Sequence, residues 1–158
     1  MTEITPKSGI IVSIRVKPLD TLAQPIVVKR SESSVSNTID VSTNLDVTSF
    51  TNDFIHWSTG NDKIDPSYAT QEDVYNDIGK PIVSSALKGI NCCVFAYGQT
   101  GSGKTYTMMG GDDKDPTQEG LIPRICKALM ATDSSTSGVL STEYEVSYVE
   151  LYMEKTRD

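Results

Sequence analysis

Hydrophobic and polar positions change rhythm several times along this chain, and each change marks an element. Residues 10–16, IIVSIRV, are rich in β-branched side chains and are bounded by Pro18, which predicts a strand. IVVKR (26–30) predicts a short second strand. From residue 31 to residue 49, Ser, Thr and Asn alternate with Val, Ile and Leu, the pattern of short strands and turns exposed on one side. Residues 48–57, TSFTNDFIHW, predict a returning strand, and STGNDKIDPSY (58–68) is a loop by its turn residues.

A helical period follows. Val74, Ile78, Ile82 and Ala86 recur every fourth residue, Thr70 and Asp73 have the spacing of a capping box, and Gly89 closes the pattern. Pro81 lies inside it and lacks an N–H, so a kink or a new first turn is expected there. NCCVFAY (91–97) is almost unbroken apolar sequence, the mark of a strand buried on both faces. A helix is expected from about Lys104, broken by the polar loop 110–120 and resumed over 121–131. Residues 134–138 predict a flexible turn and TEYEVSYVELYM (142–153) a long strand. Strands alternating with helices around a buried central strand predict an α/β sheet covered by helices.

Between the expected strand at 91–97 and the helix at Lys104 lies GQTGSGKT, residues 98–105, which fits G-x-x-x-x-G-K-[ST]. Gly98, Gly101 and Gly103 let the backbone curl so that N–H groups converge on an anion, with Gln99, Thr100 and Ser102 completing the loop. A helix starting at Lys104 adds the positive end of its dipole. Lys104 is placed to reach the β- and γ-phosphates, and the Thr105 hydroxyl to bind Mg²⁺. The motif predicts nucleotide binding. No apolar run closes convincingly on an aspartate: Asp40 follows only NTI, and Asp158 is the last residue. No catalytic residue is therefore identifiable.

Composition narrows the setting. The 158 residues suit one domain with a real core. Fourteen basic residues against 21 acidic ones leave a net charge of −7, which disfavours nucleic acid and anionic membrane as partners. The N-terminus lacks the blocks of a signal peptide, and no apolar run reaches the roughly 18 residues of a membrane span. A cytoplasmic protein without direct membrane insertion is expected. Cys92, Cys93 and Cys126 have no metal-ligand spacing and are expected to be packing residues, and the lone His56 likewise.

The wider segment NCCVFAYGQTGSGKTYTMMG (91–110) resembles the kinesin motor domain. IRVKPL (14–19), QEDVYNDIGKPIV (71–83), EGLIPRI (119–125) and SYVELYMEKTRD (147–158) resemble further family motifs in the same order. FIHWS, DPSYATQEDVYNDIG and GKTYTMMGG lean toward the organelle-transport branch, kinesin family three. The resemblance implies a P-loop NTPase fold, a kinesin-like mixed central β-sheet flanked by helices. It also implies ATP and ADP with Mg²⁺ as cofactors, microtubules as partner, and a location in the cytoplasm on the cytoskeleton. By the resemblance, Arg15, Lys17 and Pro18 flank the adenine, with Pro18 and Tyr106 packing on its faces. Lys17 replaces the usual arginine, keeping the charge but losing the planar fork. Met153 stands where the family commonly has asparagine.

A complete motor domain of this kind is considerably longer. The resemblance implies that residues 1–158 are its N-terminal half, truncated before both switch motifs and most tubulin-contacting elements. The expected activity is that of a microtubule-stimulated ATPase in the complete domain, with nucleotide bound but not efficiently hydrolysed by this chain alone. The alternative is a non-catalytic interaction module that binds nucleotide or a partner protein. Strand edges left unpaired by such a truncation would be an aggregation hazard.

Overall fold

The computed structural model describes residues 9–17, 27–30, 37–43, 46–59, 68–111, 114–133 and 142–157. Pro18, the loop at 60–67 and the turn at 134–138 lie outside these residues.

The first strand is β1 (Ser13–Val16), shorter than the expected 10–16. Its parallel partner is β5 (Phe54–Trp57), with Ser13 opposite Phe54 and Val16 opposite Trp57. Ile10, Ile11 and Val12 stay exposed outside the ladder, because Val12 is turned to other partners. Its carbonyl accepts from the Asp53 and Phe54 amides, and its own amide donates to Asp53 Oδ2 at 2.8 Å.

Between these two strands runs an antiparallel sheet of β2 (Val27–Arg30), β3 (Thr38–Ser42) and β4 (Val47–Thr51), in that order. This is the expected excursion. The expected single strand over 48–57 is instead two strands in two sheets, divided at Asn52 and Asp53. Asn37 causes the division: its carbonyl accepts from the Asn52 amide, and its side chain donates to Asp53 O at 2.7 Å.

The helix opens as read. Thr70 and Asp73 form a reciprocal capping box on α1 (Gln71–Val74), Thr70 Oγ1 accepting from the Asp73 amide and Asp73 Oδ2 from the Thr70 amide. A π-helical turn (Tyr75–Gly79) follows, in which the Lys80 amide reaches back to Tyr75 O. Pro81 then sits in the first turn of α2 (Lys80–Leu87), where its missing N–H costs least. Gly89 ends the helix at φ +76°.

Past a short α3 (Lys104–Met108) and a 3₁₀ turn (Pro116–Gln118), α4 (Leu121–Asp133) packs against α2 and the π-helical turn. Val74 and Leu121 are buried, as is Ile39 in the antiparallel sheet. Each such side chain contributes about 1.5–3 kcal/mol. The apolar stripe of the first helix fades along its length: Val74 is buried, Ile78 and Ile82 are half-buried, and Ala86 is exposed.

Two expected strands are corrected. Residues 91–97 form no strand, and Phe95 and Tyr97 are 83% and 96% exposed. A strand buried on both faces needs a neighbour on each edge, and none of the described strands pairs with this segment. Cys92 and Cys93 are exposed with it, and Cys126 lies on the outer side of α4, so none of the three is a packing residue. Of the strand expected over 142–153 only Glu150–Tyr152 forms, as β6, paired antiparallel with β7 (Lys155–Arg157). Tyr152 faces Lys155 across the two-residue turn of Met153 and Glu154, at φ +50° and +59°. That turn reverses the chain where a long strand was expected. The expected single central sheet is represented among the described residues by two-, three- and two-stranded pieces, of which only β1–β5 is parallel.

Candidate nucleotide-binding site

The loop at 98–105 is shaped by its glycines. Gly101 and Gly103 take φ +79° and +98°, and Gly103 leads directly into α3. A Cβ on Gly98 would meet Ser102 Oγ at 2.5 Å, so no larger residue fits there without displacing Ser102. The Ser102 amide donates to Gln99 O at 3.1 Å, closing the turn. Lys104 folds its side chain back into the arch, with Nζ donating to Gly98 O at 2.8 Å and Gln99 O at 2.9 Å. The ammonium group thus rests on two successive carbonyls at the start of the loop. The helix after Lys104 is only five residues long before the chain turns at Gly110. It resumes as α4 after the polar loop, whose base is closed by the Gly120 amide donating to Met109 O at 3.1 Å.

β1 delivers a second group of residues beside this loop. Lys17 Nζ donates to Gly101 O at 3.0 Å, so Lys17 lies against the loop. Arg15 lies across the Tyr106 ring, with its guanidinium carbon 5.0 Å from the ring centroid. Its Nε donates to Ser58 Oγ at 2.9 Å, and its Nη1 to Gln71 Oε1 at 2.8 Å and Thr107 Oγ1 at 3.2 Å. Its Nη2 is buried and makes no hydrogen bond among the described residues. Burial lowers the Arg15 pKa, opposed by Tyr106 and Tyr68. A guanidinium starts so high that it stays charged at neutral pH.

Arg15, Lys17, Tyr106 and the loop from Gly98 to Thr105 therefore converge, while Pro18 lies outside the described residues. Sequence reasoning missed Gln71, Ser58, Thr107 and Gln118, which hold this group together. Gln71 is only 3% exposed. Its Nε2 donates to Tyr106 O at 2.8 Å and to Gln118 O at 3.2 Å. The Tyr106 phenol donates to Gln118 Oε1 at 2.6 Å. The available signal was Gln71 itself, an amide just inside a capped helix where solvent-facing polar residues are ordinary.

The family profile described as "Kinesin motor domain" matches residues 15–158. Kinesin-like protein KIF1C of Homo sapiens is 47% identical over 111 residues, covering 70% of this chain and 10% of that protein. Kinesin-like protein Klp98A of Drosophila melanogaster is 49% identical over 113 residues, covering 69% of this chain and 8% of its relative. Among solved structures, the KIF14 two-heads-bound dimer with AMP-PNP in complex with a microtubule is 38% identical, with a TM-score of 0.68. The similarity covers 82% of this chain and 35% of that one. The structure of a fast kinesin is 34% identical, with a TM-score of 0.67 over 82% of this chain and 34% of that one. These neighbours give the P-loop NTPase fold, of which the described sheets and helices are a part. A profile match running from Arg15 to the last residue, with KIF1 relatives near half-identity, means that this chain belongs to the kinesin motor-domain family, in its organelle-transport branch.

Proposed function

We propose that the chain is the ATP-binding part of a microtubule motor, and that residues 1–158 are the first half of its motor domain. The observation that carries this reading is the glycine-shaped loop of residues 98–105 with Lys104 Nζ folded back onto the Gly98 and Gln99 carbonyls. Lys104 there meets carbonyl oxygens, and phosphate oxygens are stronger acceptors for the same ammonium. Gly98, Gln99, Thr100, Gly101, Ser102 and Gly103 would present backbone to the phosphates, and the Thr105 hydroxyl would serve Mg²⁺. The metal, when bound, would neutralise charge on the phosphate oxygens. Arg15, Lys17, Pro18 and Tyr106 would form the base site. Arg15 Nη2, a buried donor without a hydrogen bond among the described residues and beside an aromatic face, fits this role, since a purine ring carries acceptor nitrogens.

Relatives support the larger setting. Two similar KIF14 structures are complexes with a microtubule, one with ADP and one with AMP-PNP. Hydrolysis coupled to movement along microtubules, in the cytoplasm, is accordingly the activity proposed for the whole protein. For this chain alone we propose nucleotide binding with little turnover.

Titration with a fluorescent ATP analogue tests the site. Lys104→Ala removes charge-assisted contacts of about 1.5–3 kcal/mol each, so affinity should fall by about two orders of magnitude or more. Unchanged affinity would refute the cradle. A steady-state ATPase assay with and without microtubules tests the second half of the proposal, and fast stimulated turnover by the 158-residue chain would overturn it.

A further inference from the structure

We propose that Gln71 is a positioning residue that sets the base-dependent part of nucleotide affinity, an inference that rests on residues 98–106 being the nucleotide site. Three separate elements meet on this one amide. Its Oε1 accepts from Arg15 Nη1 of β1 at 2.8 Å. Its Nε2 donates to Tyr106 O in α3 at 2.8 Å and to Gln118 O in the 3₁₀ turn at 3.2 Å. Gln118 completes a clamp, because its own Oε1 takes the Tyr106 phenol at 2.6 Å. Tyr106 is thereby held at both ends, at its carbonyl by Gln71 and at its hydroxyl by Gln118. Arg15 is held across the ring by the same Gln71.

Among the described residues neither glutamine side chain hydrogen-bonds to the phosphate loop; their partners are Arg15, Tyr106 and the Gln118 carbonyl. An aromatic ring used as a stacking face gains most when its orientation is fixed before binding. Gln118 fixes that orientation at the phenol, and Gln71 supports it by holding Arg15 across the ring face and the 3₁₀ turn that carries Gln118. The 3₁₀ turn Pro116–Gln118 is therefore part of the base site, and changes there act on the nucleotide base through Gln118.

Two ligands separate base from phosphates: Mg·ATP and Mg·tripolyphosphate, which has no base. Calorimetric titration of each into the 158-residue chain gives their affinity ratio. Gln71→Ala should lower ATP affinity about five- to tenfold and leave tripolyphosphate affinity unchanged. Gln118→Ala and Tyr106→Phe should each show a smaller loss of the same kind. Because both remove the same hydrogen bond, the double variant should lose no more than either alone. Gln118→Glu, which keeps the acceptor, should restore affinity. Equal losses for both ligands would mean a purely structural role and would overturn the inference. So would an unchanged ATP affinity in Gln71→Ala, with additive losses at Gln118 and Tyr106. Failure of the parent chain to bind either ligand would instead overturn the nucleotide-site reading on which the inference rests.

Discussion

His56 should make the stability of this chain depend on pH above the range where carboxylates titrate. The imidazole is 3% exposed and bridges three elements. Nδ1 lies 2.9 Å from Ser13 Oγ of β1, and Nε2 lies 3.1 Å from Asp77 Oδ2 in the π-helical turn. An ionised carboxylate can only accept, which puts the proton on Nε2 and leaves Nδ1 to accept from the Ser13 hydroxyl. Burial lowers the His56 pKa, with Arg15 also lowering it and Asp77 and Asp73 opposing. Burial wins, so the folded chain keeps His56 neutral where the unfolded chain already takes up a proton, below about pH 6.5. The unfolded state then binds more protons, and stability falls as pH falls. It is fully present above the unfolded value and drains through the window down to the folded one. The slope is at most about 1.4 kcal/mol per pH unit for one proton, so the loss between pH 6.5 and 5.5 is bounded at about 1 kcal/mol. Urea denaturation at half-unit steps from pH 7.5 to 5.5 measures this, compared with His56→Gln, which cannot titrate. The variant should be less stable at pH 7.5 and nearly flat across the window. Equal slopes in both proteins would refute the reasoning, since the proton would then belong to another group.

Met153→Asn should stabilise the chain by about 1 kcal/mol, because Met153 holds φ +50° in the β6–β7 turn and asparagine tolerates that region; a lower urea midpoint would count against the turn. Gly98→Ala should weaken nucleotide binding more than tenfold while leaving the thermal midpoint within a few degrees, because the added methyl meets Ser102 Oγ inside the loop. A variant that binds ATP normally would show that the loop opens freely there. All three cysteines should react promptly with an aromatic disulfide reagent without denaturant, as each is exposed and unpaired; titration of fewer than three would place one of them in a core.

What was legible in the sequence is what the chain settles over short distances. The capping box joins residues three apart, and Lys104 reaches a carbonyl six residues back. Glycines with positive φ, the proline at the head of α2 and the capped helix start all follow from a few neighbouring residues. The clamp behind the base site is of another kind. Gln71 meets Arg15 across 56 residues, Tyr106 across 35 and Gln118 across 47. No window of sequence contains such a group, and a glutamine gives no periodic signal to betray burial. His56 and Asp77, 21 residues apart, escaped notice for the same reason.

The apolar run at 91–97 and the alternating segment at 142–149 point the same way from the other side. Their composition is that of strands, yet both lie outside any ladder among the described residues. Strand preference is mostly a preference for a half-buried pleated surface with neighbours, and without neighbours it has nothing to act on. Phe95, Tyr97, Val146 and Tyr148 remain largely exposed, each forgoing about 1.5–3 kcal/mol of burial. The phosphate loop keeps its shape regardless, because glycine conformations and short-range bonds from Lys104 and Ser102 hold it rather than the segment that leads into it. The loop can therefore be formed and tested for phosphate binding independently of whether residues 91–97 are paired. The base site cannot be separated from its surroundings in this way, since Arg15 and Tyr106 depend on Gln71 and Gln118 arriving from two other elements.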